Sequence, residues 1–111
     1  MSLSIETFQQ ADIRAGTIAD ARDFSEARAP AYKLTIDFGP EIGRLQSSAQ
    51  LKARYTEADL VGRQVMAVVN LPPKKVAGFV SECLVLGFAD AEGAIVLAQA
   101  ERPVPDGARM H

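Results

Sequence analysis

The chain has 111 residues, a net charge of −2, 48% hydrophobic and 23% charged side chains, and a single cysteine. This describes one domain and excludes a second core, an internal disulfide, a thiolate zinc cage and an apolar helical span of the roughly 20 residues a bilayer needs. The opening MSLSIETFQQ lacks the basic, apolar, small-residue order of a signal peptide, so a cytoplasmic location without membrane insertion is expected.

Ile5 and Phe8, three apart in a polar stretch, predict one or two helical turns with an apolar stripe that needs a docking surface. Asp12 to Arg22, with Ile13, Thr17 and Ile18 around Gly16, predicts a long strand bulged or bent at the glycine. Ala31 to Phe38 alternates, with Tyr32, Leu34, Ile36 and Phe38 on one face and Lys33, Thr35 and Asp37 on the other, the pattern of a half-buried strand. Gly39 and Pro40 end it, and Gly43 turns the chain into a short strand over Arg44 to Gln50.

Thr56, followed by Glu57 and Asp59 and stopped by Gly62, predicts a short capped helix. The apolar run Val65 to Val69 predicts a strand covered on both faces. Leu71 to Phe79, broken by Pro72, Pro73 and Gly78, is expected to be irregular, and Val80 to Leu86 to resume as a strand. Ala94 to Ala98 predicts a further short strand, and the tail with Pro103, Pro105 and Gly107 a loop.

Five strands with a helix between the third and fourth give an all-β class: a five-stranded OB-fold Greek-key barrel with short helices and N- and C-terminal extensions, filling residues 1–111 as one domain. In that fold a ligand lies on strands 2 and 3, between the loops joining strands 1 to 2 and 4 to 5. Those loops are Asp23 to Pro30, with Arg28, and Leu71 to Phe79, with Lys74 and Lys75. Strand 2 adds Lys33, and strand 3 with its continuation adds Arg44, Lys52 and Arg54. Arg44 to Lys75 holds six cations and two acids, against six and twelve in the remainder. Such a basic middle attracts phosphate if folding gathers it on one side, and is otherwise a scatter of solvated charge.

Two prolines stiffen the approach to Lys74 and Lys75, which lowers the entropy lost when ammonium groups meet phosphate; the alternative is a solvated charge pair. The Asn70 amide either clips the turn of Pro72 and Pro73 or meets a base edge. Gln46, Ser47, Ser48 and Gln50 offer short donors and acceptors for base edges or 2′-hydroxyls, or simply a polar strand face. Only Phe79 and Tyr55 are candidates for exposed rings, since Tyr32, Phe38 and Phe88 read as core by alternation. For a nucleic-acid ligand, recognition of shape and backbone is therefore expected over stacking of splayed bases.

No catalytic constellation assembles. The only histidine, His111, is the last residue, so neither a histidine triad nor a typical zinc enzyme is available. Ser47 and Ser48 are not in a nucleophile elbow, no GxGxxG or GxxxxGK[ST] loop occurs, and Cys83 lies in an apolar run as a small hydrophobe. A non-enzyme without cofactor or metal is expected.

Three stretches are distinctive: DIRAGTI at Asp12 to Ile18, QSSAQ at Gln46 to Gln50, and VVNLPPKKVAGFVSECLVLG at Val68 to Gly87. Together they closely resemble the tRNA-binding domain family, whose members occur attached to methionyl- and phenylalanyl-tRNA synthetases and as free-standing dimers, some described as export-related chaperones. The resemblance implies a homodimer built from residues 1–11, with Ile5 and Phe8, and residues 88–111. It implies tRNA or another structured RNA as partner and places Ser81 and Glu82 near the RNA face, where Glu82 either accepts a base or ribose donor or holds a cation. With these, the RNA-binding set becomes Lys33, Ser48, Gln50, Lys52, Arg54, Asn70, Lys74, Lys75, Ser81 and Glu82. The same resemblance implies an alternative, a chaperone that holds unfolded or preprotein peptides for export machinery in a dimer groove, with Val76, Phe79, Val80 and Met66 as candidate apolar contacts.

Overall fold

A computed structural model describes residues 1–111. In chain order the elements are α1 (Ile5–Phe8), β1 (Ile13–Asp23), β2 (Tyr32–Asp37), α2 (Gly39–Ile42), β3 (Arg44–Ala49), α3 (Glu57–Leu60) and β4 (Gln64–Val68). Five short strands follow: β5 (Lys74–Val76), β6 (Phe79–Ser81), β7 (Leu84–Val85), β8 (Gly87–Ala89) and β9 (Ile95–Leu97).

The alternation in β2 buries Tyr32, Leu34 and Ile36 and turns Lys33, Thr35 and Asp37 outward. Cross-strand pairing carries that outer row onto β3, setting Lys33 opposite Ser48, Thr35 opposite Gln46 and Asp37 opposite Arg44. The main antiparallel sheet runs β3-β2-β1-β4-β7 and curls around Ile18, Leu34, Ile36, Phe38, Leu60 and Val65. Burial of each such side chain contributes about 1.5–3 kcal/mol. The result is a nearly closed five-stranded barrel of the OB type.

Closure is made by side chains as much as by a ladder. Between β6 and β7, Glu82 N–H donates to the Gln46 carbonyl at 2.8 Å, and Gln46 N–H donates to Glu82 Oε1 at 2.9 Å. Ser48 N–H donates to Ser81 Oγ at 3.0 Å, and the buried Ser47 hydroxyl donates to the Cys83 carbonyl at 3.0 Å. Val80 to Leu86 is therefore three pieces and not the single strand its composition predicts. It leaves one partner, passes the β3 edge through Ser81 and Glu82, and then joins β4 at Leu84.

Leu71 to Phe79 is likewise more regular than expected. Pro72 and Pro73 stay outside the ladder, while Lys74, Lys75 and Val76 pair with Ser81, Val80 and Phe79. The two-residue connection, Ala77 and Gly78, has φ of 45° and 83°, the left-handed pair that a tight hairpin requires. Three further expectations change. The irregularity in β1 falls between Ile18 and Asp20, whereas Gly16 is needed because a Cβ there would lie 2.6 Å from the Phe38 ring. In β4, Val65 and Ala67 are buried but Met66 and Val68 are only half covered. Phe88 is 70% exposed, because β8 pairs with β9 in a separate hairpin, where alternation alone does not say which face is covered.

The capped helix forms as predicted. Thr56 Oγ1 accepts from Asp59 N–H, Asp59 Oδ2 accepts from Thr56 N–H, and Leu60 enters the core. The tail covers the part of β1 that β2 leaves unpaired, with Gly107 N–H on the Ala15 carbonyl and Met110 N–H on the Ile13 carbonyl, both at 2.8 Å. No helix is long and apolar enough to cross a membrane.

Candidate nucleic-acid interface

The end of β3 with its continuation to Leu51, the β1–β2 loop, the β5–β6 hairpin and the segment from Ser81 to Gly87 together enclose a groove of about 1290 Å³. Its floor is apolar, with Leu51, Cys83, Val85 and Ile95, and its rim carries Arg28, Ser48, Gln50, Lys74, Ser81 and Glu82. Five of the ten expected RNA-binding residues thus share one groove. A smaller cleft of about 690 Å³ between Asp59–Gln64 and Gln99–Asp106 mixes acids and arginines and shares no residue with it.

The remaining five separate by what holds them. Lys52 is ion-paired with Asp23, its ammonium 5.4 Å from the Tyr32 ring centroid. Arg54 pairs with Asp90 at 3.0 Å and Glu92 at 3.4 Å on the β8–β9 turn. Its hydrogen bond to Asp90 raises the Arg54 pKa and holds the Asp90 carboxyl below its ordinary range. Asn70 Oδ1 accepts from Asp12 N–H at 2.9 Å, and its Nδ2 donates to the Gln10 carbonyl at 2.7 Å. The exposed amide thus ties the end of β4 to the segment between α1 and β1 and does not clip the proline turn.

Lys33 and Lys75 complete the set. Neither they nor Lys74 has a carboxylate within ion-pair distance. Lys33 Nζ lies 4.8 Å from the Phe24 ring centroid and 5.5 Å from that of Phe79. Lys74 lines the groove, and its neighbour Lys75, one residue on in the strand, projects from the opposite face of the hairpin.

Ser81 and Glu82 act on the backbone of β3 through their side chains, which fixes the edge where Ser48 and Gln50 sit. The groove floor is chemically inert: burial pushes the Cys83 thiol up to about 11. Tyr55, a candidate exposed ring, is packed instead; its hydroxyl accepts from Leu97 N–H at 3.0 Å and its carbonyl accepts from the Tyr32 hydroxyl at 2.8 Å.

Phe79 is half-buried against Phe24, ring centroids 5.4 Å apart in an edge-to-face arrangement. Phe24, 1% exposed, is the site residue that sequence reasoning overlooks. Its only signal is a lone aromatic inside a polar predicted loop.

Comparison with known proteins agrees with this architecture. Residues 13–109 match the family model described as "Putative tRNA binding domain". Chaperone CsaA from Bacillus anthracis superposes with a TM-score of 0.93 at 49% identity, covering all of both chains. CsaA from Picrophilus torridus gives 0.92 at 41% identity, covering 99% of this chain and all of the other. The MetRS-related protein of Pyrococcus horikoshii gives 0.86 at 25% identity, again over both whole chains. Methionine–tRNA ligase of Methanocaldococcus jannaschii is 30% identical over 108 residues, which are 97% of this chain and 16% of the ligase. The chain thus spans a small fraction of the curated relatives it matches. With its barrel, its groove and a family match over nearly its whole length, the chain belongs to the tRNA-binding domain family.

Proposed function

We propose that the chain is a non-catalytic RNA-binding module that grips tRNA or a similarly folded RNA by its phosphate backbone. The observation that carries this reading is how the protein disposes of its positive charge. Lys52 and Arg54 are neutralised by its own acids, while Lys33 on the β2 face and Lys74 and Lys75 on the two faces of the hairpin are left for an external anion. Ser48 and Gln50 lie beside them as short polar groups for riboses or bases. The edge-to-face engagement of Phe79 favours backbone recognition over base stacking.

The test compares two double variants in a tRNA binding titration. Lys74→Ala with Lys75→Ala is expected to weaken binding strongly, and Lys52→Ala with Arg54→Ala only slightly, because the latter cations already have partners. Equal losses from both pairs would contradict the reading.

We further propose a homodimer. The protomer exposes Leu3, Ile5, Leu84, Phe88, Val96 and Met110, and the two extensions are held side by side by Arg109 Nη2 donating to the Gln9 carbonyl at 2.6 Å. Exposed apolar groups of this size call for a partner surface, and a second copy offers the same set.

A second reading, a chaperone for unfolded polypeptide, is favoured by the groove's apolar floor, with Leu71 and Leu84 46% and 51% exposed in its lining, and by the relatives titled CsaA chaperone. Polypeptide binding there should survive added salt and show a negative heat-capacity change; tRNA binding should not survive it.

A further inference from the structure

The β5–β6 hairpin carries two of the three unpaired lysines, yet little in the hairpin itself can hold it in place. It has three residue pairs, forms a sheet separate from the barrel, and turns through Ala77, the one non-glycine residue with positive φ. An isolated ribbon of that length is unstable in water. At its base Ser81 is tied to Ser48. Near its tip the anchor is the Phe79 ring, set edge-to-face on Phe24 at the start of the β1–β2 loop, whose residues from Glu26 to Ala29 line the groove. The ammonium of Lys33 rests over both rings.

We propose that Phe79, through Phe24, is the positioning residue for RNA binding: a clasp between the hairpin and the β1–β2 loop that fixes Lys33, Lys74 and Lys75 relative to one another before the RNA arrives. This rests on the RNA reading above. Fixing the cations beforehand reduces the ordering cost on binding, and releasing the clasp leaves the lysines charged but dispersed.

The test is the salt dependence of tRNA binding by the full chain carrying Phe79→Ala or Phe79→Leu. Phe79→Ala removes no charge, yet it is expected to weaken tRNA binding by about three- to tenfold. It is also expected to lower the slope of log affinity against log salt by about one to two. Phe79→Leu, which keeps apolar bulk against Phe24, should restore most of both. Combined with Lys74→Ala and Lys75→Ala, Phe79→Ala should add little, because the same contacts are already gone.

An unchanged slope, or a loss that adds fully to that of the lysine variant, would overturn the clasp. So would weakened binding of an unfolded polypeptide with tRNA binding intact, which would make Phe79 a polypeptide contact. Failure of the unaltered chain to bind tRNA would overturn the RNA reading itself, and is seen before any variant is made.

Discussion

A Cβ at Gly16 would sit 2.6 Å from one Phe38 ring carbon and 2.8 Å from an Ile36 methyl. Both neighbours are fully buried, so Gly16→Ala is expected to cost about 1–3 kcal/mol, read as a lower denaturant midpoint at unchanged m-value. Cys83 gives a second residue-scale prediction. With its pKa raised from 9.0 to about 11, about one thiol in a thousand is ionised at pH 8. Alkylation there should track opening of the barrel and accelerate with added denaturant. The unfolded thiol ionises first, so stability is unaffected by Cys83 below pH 9 and falls as pH rises from 9 toward 11. Sequence predicts burial for Cys83 but not a fixed place for Asn70, whose two hydrogen bonds join segments about 60 positions apart. No local pattern encodes such a contact.

The cap of α3 and the β5–β6 hairpin differ in how legible they are. Thr56, Asp59 and Gly62 signal a helix start and stop by residue type alone, and the capping box forms. Thr56→Ala should cost about 1 kcal/mol in a thermal or denaturant melt. The Asp59 carboxyl is held low chiefly by the Thr56 backbone N–H. Its depressed pKa means the cap is intact at neutral pH and is lost only as pH falls through that lowered value, below its ordinary 3.8. The hairpin is hidden because two prolines precede it and its three-residue strands are too short for a periodic signal. Ala77 at φ 45° is a poor fit to its turn, and Ala77→Asn should slow hydrogen exchange of the hairpin amides by relieving it. Phe88 misleads for a related reason: alternation marks two faces of a strand, and only tertiary structure says that neither lies in the barrel.

At the scale of the whole molecule, strand order and the helix between strands 3 and 4 suffice to recover the barrel. The grouping of charge is only half legible. Sequence identifies a basic middle; the fold then divides it into cations engaged by Asp23, Asp90 and Glu92 and cations left open. The proposed dimer rests on the exposed apolar groups. Sedimentation should give a mass of twice 11.9 kDa, and Phe88→Asp should shift the chain toward the monomer. The central claim, that open lysines on the β2 face and the hairpin hold an RNA by its phosphates, is tested most directly by the salt slope of tRNA affinity. The unaltered chain should show a steep linear fall of log affinity with log salt, and Lys74→Ala with Lys75→Ala should reduce the slope by about 1.4–1.8. The same slope in both proteins would place the phosphate contacts elsewhere and contradict the account.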